Sequence, residues 1–449
     1  MLYNFDTPTT RLHTDCVKWD EMPADDIIPM WVADMDFETA PCIAAAVQRR
    51  AAHPIYGYGL VPDGFYDAIR WWNRTRHQWE FPREWIQYTS GVVPAVSAIL
   101  QGLCREGEAV LTFTPAYNCF FSSIRNAHCP LVDFPLTWDP EAETSTIDFQ
   151  AFEEAIRANG VRLFLLCNPH NPTGRVWTSQ ELRKMAEICK RADVIVLSDE
   201  IHCEFVDPQL GRPYVPFAPI AEEVGCSWVV ANAPNKAFNI AGLQTAYIVC
   251  PDSSMRRRID RAINDNETCD INVFAPVALQ AAYTPEGAEW LDQLVAYIYD
   301  NYRTFRQQLK AALPQLPLAR LEGTYLAWLD VRTLLHTTPS PSTLNQNSPS
   351  TLNPSPLTLN QNSPSTLRST SGRFDTSKNP SPLTLNQNSP SALSTSKALA
   401  NYLTTQHRVW VNPGEIYGRP GFLRINIATQ RSRLNEATRR IIAGLKACN

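Results

Sequence analysis

The sequence predicts an α/β fold, a mostly parallel sheet covered by helices, and two apolar runs with a helical pattern between them carry that prediction. VRLFLLC, Val161 to Cys167, and VIVLS, Val194 to Ser198, are continuous apolar stretches of strand length. Continuous rather than alternating apolar character suits a strand buried on both faces. Between them, ELRKMAEICKRA places Leu182, Met185 and Cys189 on one helical face. Strand, helix and strand in this order make a βαβ unit, whose strands run parallel.

The remaining elements follow the same logic. Phe149, Phe152 and Ile156 recur at helical spacing, and Asn159-Gly160 is a helix stop. WVVAN at Trp228 and TAYIVC at Thr245 read as further strands. TYLAWLDV, from Thr324, reads as a strand, and KALANYLTTQ, from Lys397, as a helix. In open α/β sheets the ligand sits at the carboxyl ends of the strands.

Between the last two elements, 337–396 stands apart: it is rich in Ser, Pro, Thr, Asn and Leu. NPSPLTLNQNSPS occurs at Asn353 to Ser365 and again at Asn379 to Ser391. Its prolines interrupt helix and sheet, and it has little to bury against the entropy of ordering. The repeat units lack the regular core positions of a solenoid, so an inserted, disordered loop is expected.

Composition bounds the function. The chain has 449 residues, 44% of them hydrophobic, enough for a large core and two or more domains. A formal net charge of -5 gives no support for a nucleic-acid partner. No apolar run approaches the roughly 18 residues that cross a bilayer, so no membrane span is expected. The first residues lack a signal-peptide layout, which leaves the cytoplasm as the expected location. The 12 cysteines include no CxxC pair, so no metal site is expected, and buried reduced thiols are the reading.

Four polar motifs fall at strand ends. TSGVVPAVSAIL, Thr89 to Leu100, runs from a polar turn into an apolar helix, whose free N–H groups can hold a phosphate or simply cap the helix. CNPHNPTGRVW, Cys167 to Trp177, carries Asn168 and Asn171 in a proline-stiffened loop, a rigid turn or a ligand loop. SDEIHCEF ends an apolar strand with Asp199, a carboxylate that is costly there without a cationic partner. A protonated pyridine nitrogen is one such partner, and helix capping is the ordinary alternative. His202 taken alone is a core or surface histidine. ANAPNKAFNIAGLQTAYIV places Lys236 between two strands, where a lysine is exposed, paired or covalently used.

Asn171-Pro-Thr-Gly, Asp199, Lys236 and Arg424 occur in the order of the functional residues of fold-type-I aminotransferases, which bind pyridoxal 5'-phosphate (PLP). VKWDEM at Val17, PMWVADMDF at Pro29, YGYG at Tyr56, TPAYNCF at Thr114, DEIH at Asp199, NKAFNIAGLQTA at Asn235, EGTYLAWLD at Glu322 and FLRINIA at Phe422 resemble one branch, the MalY/PatB-type cystathionine β-lyases.

That resemblance implies a large PLP domain at 41–285 with a mostly parallel seven-stranded sheet. It also implies a smaller α+β domain at 286–449, joined by an N-terminal segment at 1–40. It implies that Lys236 is the Schiff-base lysine and moves the Cα proton, Asp199 pairs with the ring nitrogen, and Asn171 bonds the ring 3-oxygen. Tyr117 stacks on the ring, with His202 beside it. Gly91, Val92 and Val93 begin the phosphate-binding helix, with Asn235 where the family commonly has a hydroxyl residue. IATQR after the arginine motif also departs from the commoner proline-arginine form. Tyr58 reaches the phosphate of a second subunit, which implies a homodimer, and Arg424 grips the carboxylate of a small amino-acid substrate. The implied activity is carbon–sulfur β-elimination, with an aminotransferase as the alternative and a mainly regulatory binding protein as a third reading.

Overall fold

Seven strands form the central sheet, in the order Ile86–Thr89, Ala246–Val249, Trp228–Asn232, Ile195–Asp199, Val161–Cys167, Ala109–Thr114, Leu131–Pro135. The structure is a computed structural model that describes residues 3–335 and 393–448. All sheet pairings are parallel except those of Ala246–Val249, which runs antiparallel to both neighbours. Its connection from the preceding strand, 233–245, contains no α-helix. So short a link cannot make a parallel crossover, and the chain turns back antiparallel. Lys236 rides on that link.

The strand predicted at Val194 to Ser198 is shifted by one, to Ile195–Asp199, so that Asp199 is itself a ladder residue. Helix Phe149–Asn159 ends as expected, with Gly160 in the left-handed region at φ 55°. Its start is capped by Asp148, and Ser179–Arg191 starts with a Thr178–Glu181 capping box.

The sheet is buried on both faces. Phe164, Val196 and Val230 pack with Phe113, Trp177 and Tyr247, whereas Leu163, Leu165, Ile195, Leu197 and Val229 pack with the helix Val92–Leu103. Each such side chain contributes about 1.5–3 kcal/mol on burial. Register pairs Cys167 with Asp199 and Asp199 with Ala231. Because side chains alternate along a strand, these three share the face of the Val92–Leu103 helix.

A second sheet, Leu326–Asp330, Phe422–Asn426 and Asn412–Pro413, is antiparallel and sets Arg424 opposite Trp328 and Asn412. Ile28–Pro29 pairs in parallel with Val409–Trp410, so the N-terminal segment is tied to the C-terminal region. The expected insert lies outside the described residues from 337 to 392, but its C-terminal boundary requires correction. Leu393 is buried, Thr395 caps the helix Ser396–His407, and buried Ser396 donates to Glu415 Oε2 (2.6 Å) and accepts from Gly421 N–H (2.8 Å). Residues 393–396 therefore belong to the folded chain, because a capped helix start needs its cap and its apolar anchor. Among the described residues no helix is long and apolar enough to cross a membrane.

Candidate active site

Three strand ends and one helix start meet at a cavity of about 250 Å³. Gly91, Val92 and Val93 line it from the helix start, and Asn171, Asp199, His202, Asn235 and Lys236 line it from the strand ends, with Tyr117. The helix Val92–Leu103 has no side-chain cap at Gly91. Pro94 lacks an N–H and Ala95 N–H bonds to Gly91 O (3.0 Å). The Val92 and Val93 N–H groups thus have no helical acceptor and carry the positive end of the helix dipole.

Asp199 makes a single short-range bond, from Ile201 N–H to Oδ1 (3.1 Å), and begins no helix. Burial pushes its carboxyl up to about 7, and the Glu200 charge adds to the rise against the Ile201 N–H and Lys236. Burial pushes the His202 ring down to about 3, with Lys236 and Arg424 adding to it, so the ring is neutral. Among the described residues, His202 Nδ1 and Asn235 Oδ1 are buried without a partner. Buried polar atoms are usually paired, so this concentration at one cavity marks a place for a polar ligand.

Lys236 Nζ donates to Ala33 O (2.6 Å). Burial lowers its pKa, opposed by Asp34 and Asp199 and reinforced by Arg424. A larger neutral fraction makes the amine a better nucleophile and base. Arg424, on the second sheet, reaches the site through Asn171 Oδ1 (3.3 Å), holds Trp31 O (2.8 Å), and lies 4.6 Å over the Tyr417 ring, with Nε unpartnered. Tyr58 is not brought in: it is 96% exposed, in a separate cleft with Ile271 and Val273.

The set suits a PLP-like group, with an uncapped helix start for a phosphate, a buried carboxylate held by a single backbone N–H for a ring cation, and a lysine beside both. A model of the family "Aminotransferase class I and II" matches residues 25–441. The chain belongs to the class I and II aminotransferase family. Within it, the chain is 36% identical to cystathionine beta-lyase PatB of Bacillus subtilis (strain 168), over 73% of this chain and 84% of that protein. It is 34% identical to protein MalY of Escherichia coli (strain K12), over 74% and 85%. Among solved structures, cystalysin of Treponema denticola, which contains a pyridoxal 5'-phosphate cofactor, superposes with a TM-score of 0.81 at 26% identity, covering 99% of both chains. A PLP-bound C-S lyase of Staphylococcus hominis superposes at 0.80 and 25%, covering 99% of this chain and 98% of that one. The family's fold-type-I architecture is therefore the architecture of this chain.

Sequence reasoning missed Ala33, Tyr325 and Tyr417. The PMWVADMDF and EGTYLAWLD motifs contain the first two, but nothing in their pattern says that the Ala33 carbonyl takes both Lys236 Nζ and the Tyr325 hydroxyl.

Proposed function

We propose that the protein is a PLP-dependent carbon–sulfur β-lyase that cleaves cystathionine or related L-cysteine S-conjugates to a thiol, pyruvate and ammonia. The observation that carries this reading is the buried Asp199, whose carboxylate accepts from the Ile201 N–H and faces the same cavity as Lys236 and the uncapped helix start. When bound, PLP supplies a protonated ring that withdraws the electron pair left at Cα. Asp199 would keep that ring nitrogen protonated, which would also offset the cost of its own buried charge. The Val92 and Val93 N–H groups after Gly91 would receive the phosphate, with the Asn235 amide beside them. Asn171 would donate to the ring 3-oxygen, and Tyr117 and His202 would pack against the ring. Lys236 would hold the cofactor and, once the substrate amine has taken its place, its freed Nζ would take the Cα proton. Arg424 would bind the α-carboxylate and orient the Cα–H bond toward Lys236, so that loss of the proton could be followed by departure of the thiolate from Cβ.

The active assembly in this reading is a homodimer. Ile55, Tyr58 and Leu60 are 68%, 96% and 75% exposed, and a second copy would cover them and bring Tyr58 to the partner's phosphate. All 12 cysteines are free, which agrees with a reducing cytoplasm. The division into 1–40, 41–285 and 286–449 is supported by the pairing of Ile28–Pro29 with Val409–Trp410.

Incubating the purified PLP-loaded protein with cystathionine, with separate assays for pyruvate and for keto-acid-dependent amino transfer, tests the reading. Pyruvate and thiol in equal amounts are expected. Amino transfer without pyruvate would establish the aminotransferase reading instead.

A further inference from the structure

Trp31–Phe37 passes along the cavity as irregular backbone, with Ala33 in the cavity wall. Buried irregular backbone must find donors for its carbonyls outside a ladder. Here every carbonyl from Trp31 to Phe37 accepts from a side chain. Ala33 O takes Lys236 Nζ (2.6 Å) and the Tyr325 hydroxyl (2.9 Å). Trp31 O takes Arg424 Nη2 (2.8 Å). One Asn426 amide donates to both Val32 O and Asp34 O (2.6 Å each). One Asn239 amide donates to both Met35 O and Phe37 O (2.9 Å each), and its Oδ1 accepts from Met35 N–H (2.9 Å). The Asp36 carbonyl takes Gln430 Nε2 (2.6 Å).

The placement of the two asparagines is the key. Asn239 follows Lys236 by one turn of the same link, and Asn426 lies on the same strand as Arg424. Each amide therefore fixes the strap to the very backbone that carries a charged site residue. Asn239 sits at φ 57°, a left-handed conformation that asparagine tolerates.

We propose that Asn239 and Asn426 are positioning residues, which hold the strap Trp31–Phe37 so that its Ala33 and Trp31 carbonyls orient the Lys236 amine and the Arg424 guanidinium for substrate. The inference rests on the roles given above to Lys236 and Arg424. The Trp31 carbonyl and Asn171 each take one Arg424 N–H, which stops the guanidinium from rotating and leaves a preset fork for the carboxylate. When the Lys236 amine leaves Ala33 O, the Tyr325 hydroxyl still satisfies that carbonyl, and the strap stays in place.

The test uses the PLP-loaded full chain carrying Asn426→Ala, Asn426→Asp or Asn239→Gly. The Asp variant keeps the side-chain size and loses both donors, and the Gly variant accepts the left-handed backbone. Both Asn426 variants are expected to raise KM about 10-fold, with kcat within about 3-fold of the parent. Asn239→Gly is expected to lower kcat about 10-fold and to shift the pH midpoint of the visible absorption band, which reports the lysine environment. Amide exchange should quicken in 31–37 in all three, and stay unchanged in Val161–Cys167. Kinetics and midpoint within twofold and 0.1 pH of the parent, roughly assay precision, would overturn the inference, as would exchange that quickens across the whole chain. Arg424→Lys and Lys236→Ala, run in parallel, separate the two levels. If those variants lose function and the asparagine variants do not, the strap inference alone falls. If Arg424→Lys leaves KM unchanged, the reading of the site falls with it.

Discussion

The segment Ser198 to Phe205 has two polar sides, and they are built oppositely. On one side, Asp199 and His202 face the cavity: Asp199 has one backbone partner, and His202 Nδ1 has none. On the other, Glu200 and Glu204 face the helices and are saturated. Glu204 accepts from Trp72 Nε1 (2.6 Å), His77 Nε2 (2.7 Å) and Arg76 Nε (3.0 Å). Glu200 accepts from Ser198, Phe217 N–H and the Tyr214 hydroxyl. Burial pushes both Asp199 and Glu204 up, but only Glu204 has the donors to reverse it, ending at about 2 while Asp199 ends at about 7. His77, Cys203 and Glu204 also bring three metal-type ligand atoms together, yet Trp72, Arg76 and the Asn232 amide already direct N–H groups at Glu204 and Cys203. A buried charge with its donors in place holds the fold together, and one without them waits for a ligand.

The largest effect should come from the open side. Lys236→Ala is expected to lower pyruvate release by roughly 10⁴-fold or more and to leave no borohydride-reducible cofactor–protein adduct. A persistent adduct would move the covalent role elsewhere.

Asp199→Asn and Glu204→Gln break the comparison most directly, because their effects should differ in kind. Asp199→Asn is expected to cut kcat by roughly 10²–10³-fold without loosening the fold, since a neutral amide cannot stabilise a ring cation. Glu204→Gln is expected to cost about 3 kcal/mol of stability in a denaturant titration, because Arg76 loses its counter-charge and the Trp72 and His77 N–H groups lose a charged acceptor. The folded fraction of this variant should retain kcat within about 10-fold, because Glu204 lies on the side away from the cavity. Equal loss of stability in both variants would erase the distinction between the sides.

The smallest effect is a pH dependence of opposite sign. In cofactor-free protein, Asp199 titrates near 7 instead of the ordinary 3.8, so its contribution to stability falls as pH rises from about 4 to about 7. Asp199→Asn should therefore melt at a higher temperature than the parent at pH 8 and show little difference at pH 4. Glu204 titrates at about 2 instead of 4.5, so its contribution is full above 4.5 and is lost as pH falls toward 2. Glu204→Gln should differ most from the parent at neutral pH and converge with it in acid.

The open side was legible because its residues sit in short motifs at predictable points of a βαβ unit. That Asp199 ends an apolar strand, Lys236 lies between two others and Gly91 precedes an apolar helix follows from hydropathy and turn chemistry, and the resemblance to a family motif order joined them into one site. The saturated side was not legible: Glu204 shares its motif with Asp199, and nothing local says that Trp72, Arg76 and His77 arrive beside it from a distant helix. The same limit hid Ala33, a small apolar residue whose only functional atom is its backbone carbonyl.

The sequence by itself determined the α/β class and the βαβ order, because hydrophobic periodicity is a local property, while the lysine, aspartate and asparagine proposed for the site were singled out by their resemblance to a family motif order. It placed the end of the low-complexity segment at Ser396, since composition changes gradually there; Leu393 burial and the Thr395 cap moved that boundary. Only the tertiary structure decided which buried polar groups are paired. Pairing depends on donors brought from far along the chain, such as Asn239 to Met35, Asn426 to Val32 and Arg424 to Trp31. Hydrogen bonds of that range have no period in the sequence, so which polar groups hold the fold and which stay open for a ligand is set only when the strands and the strap close around the cavity.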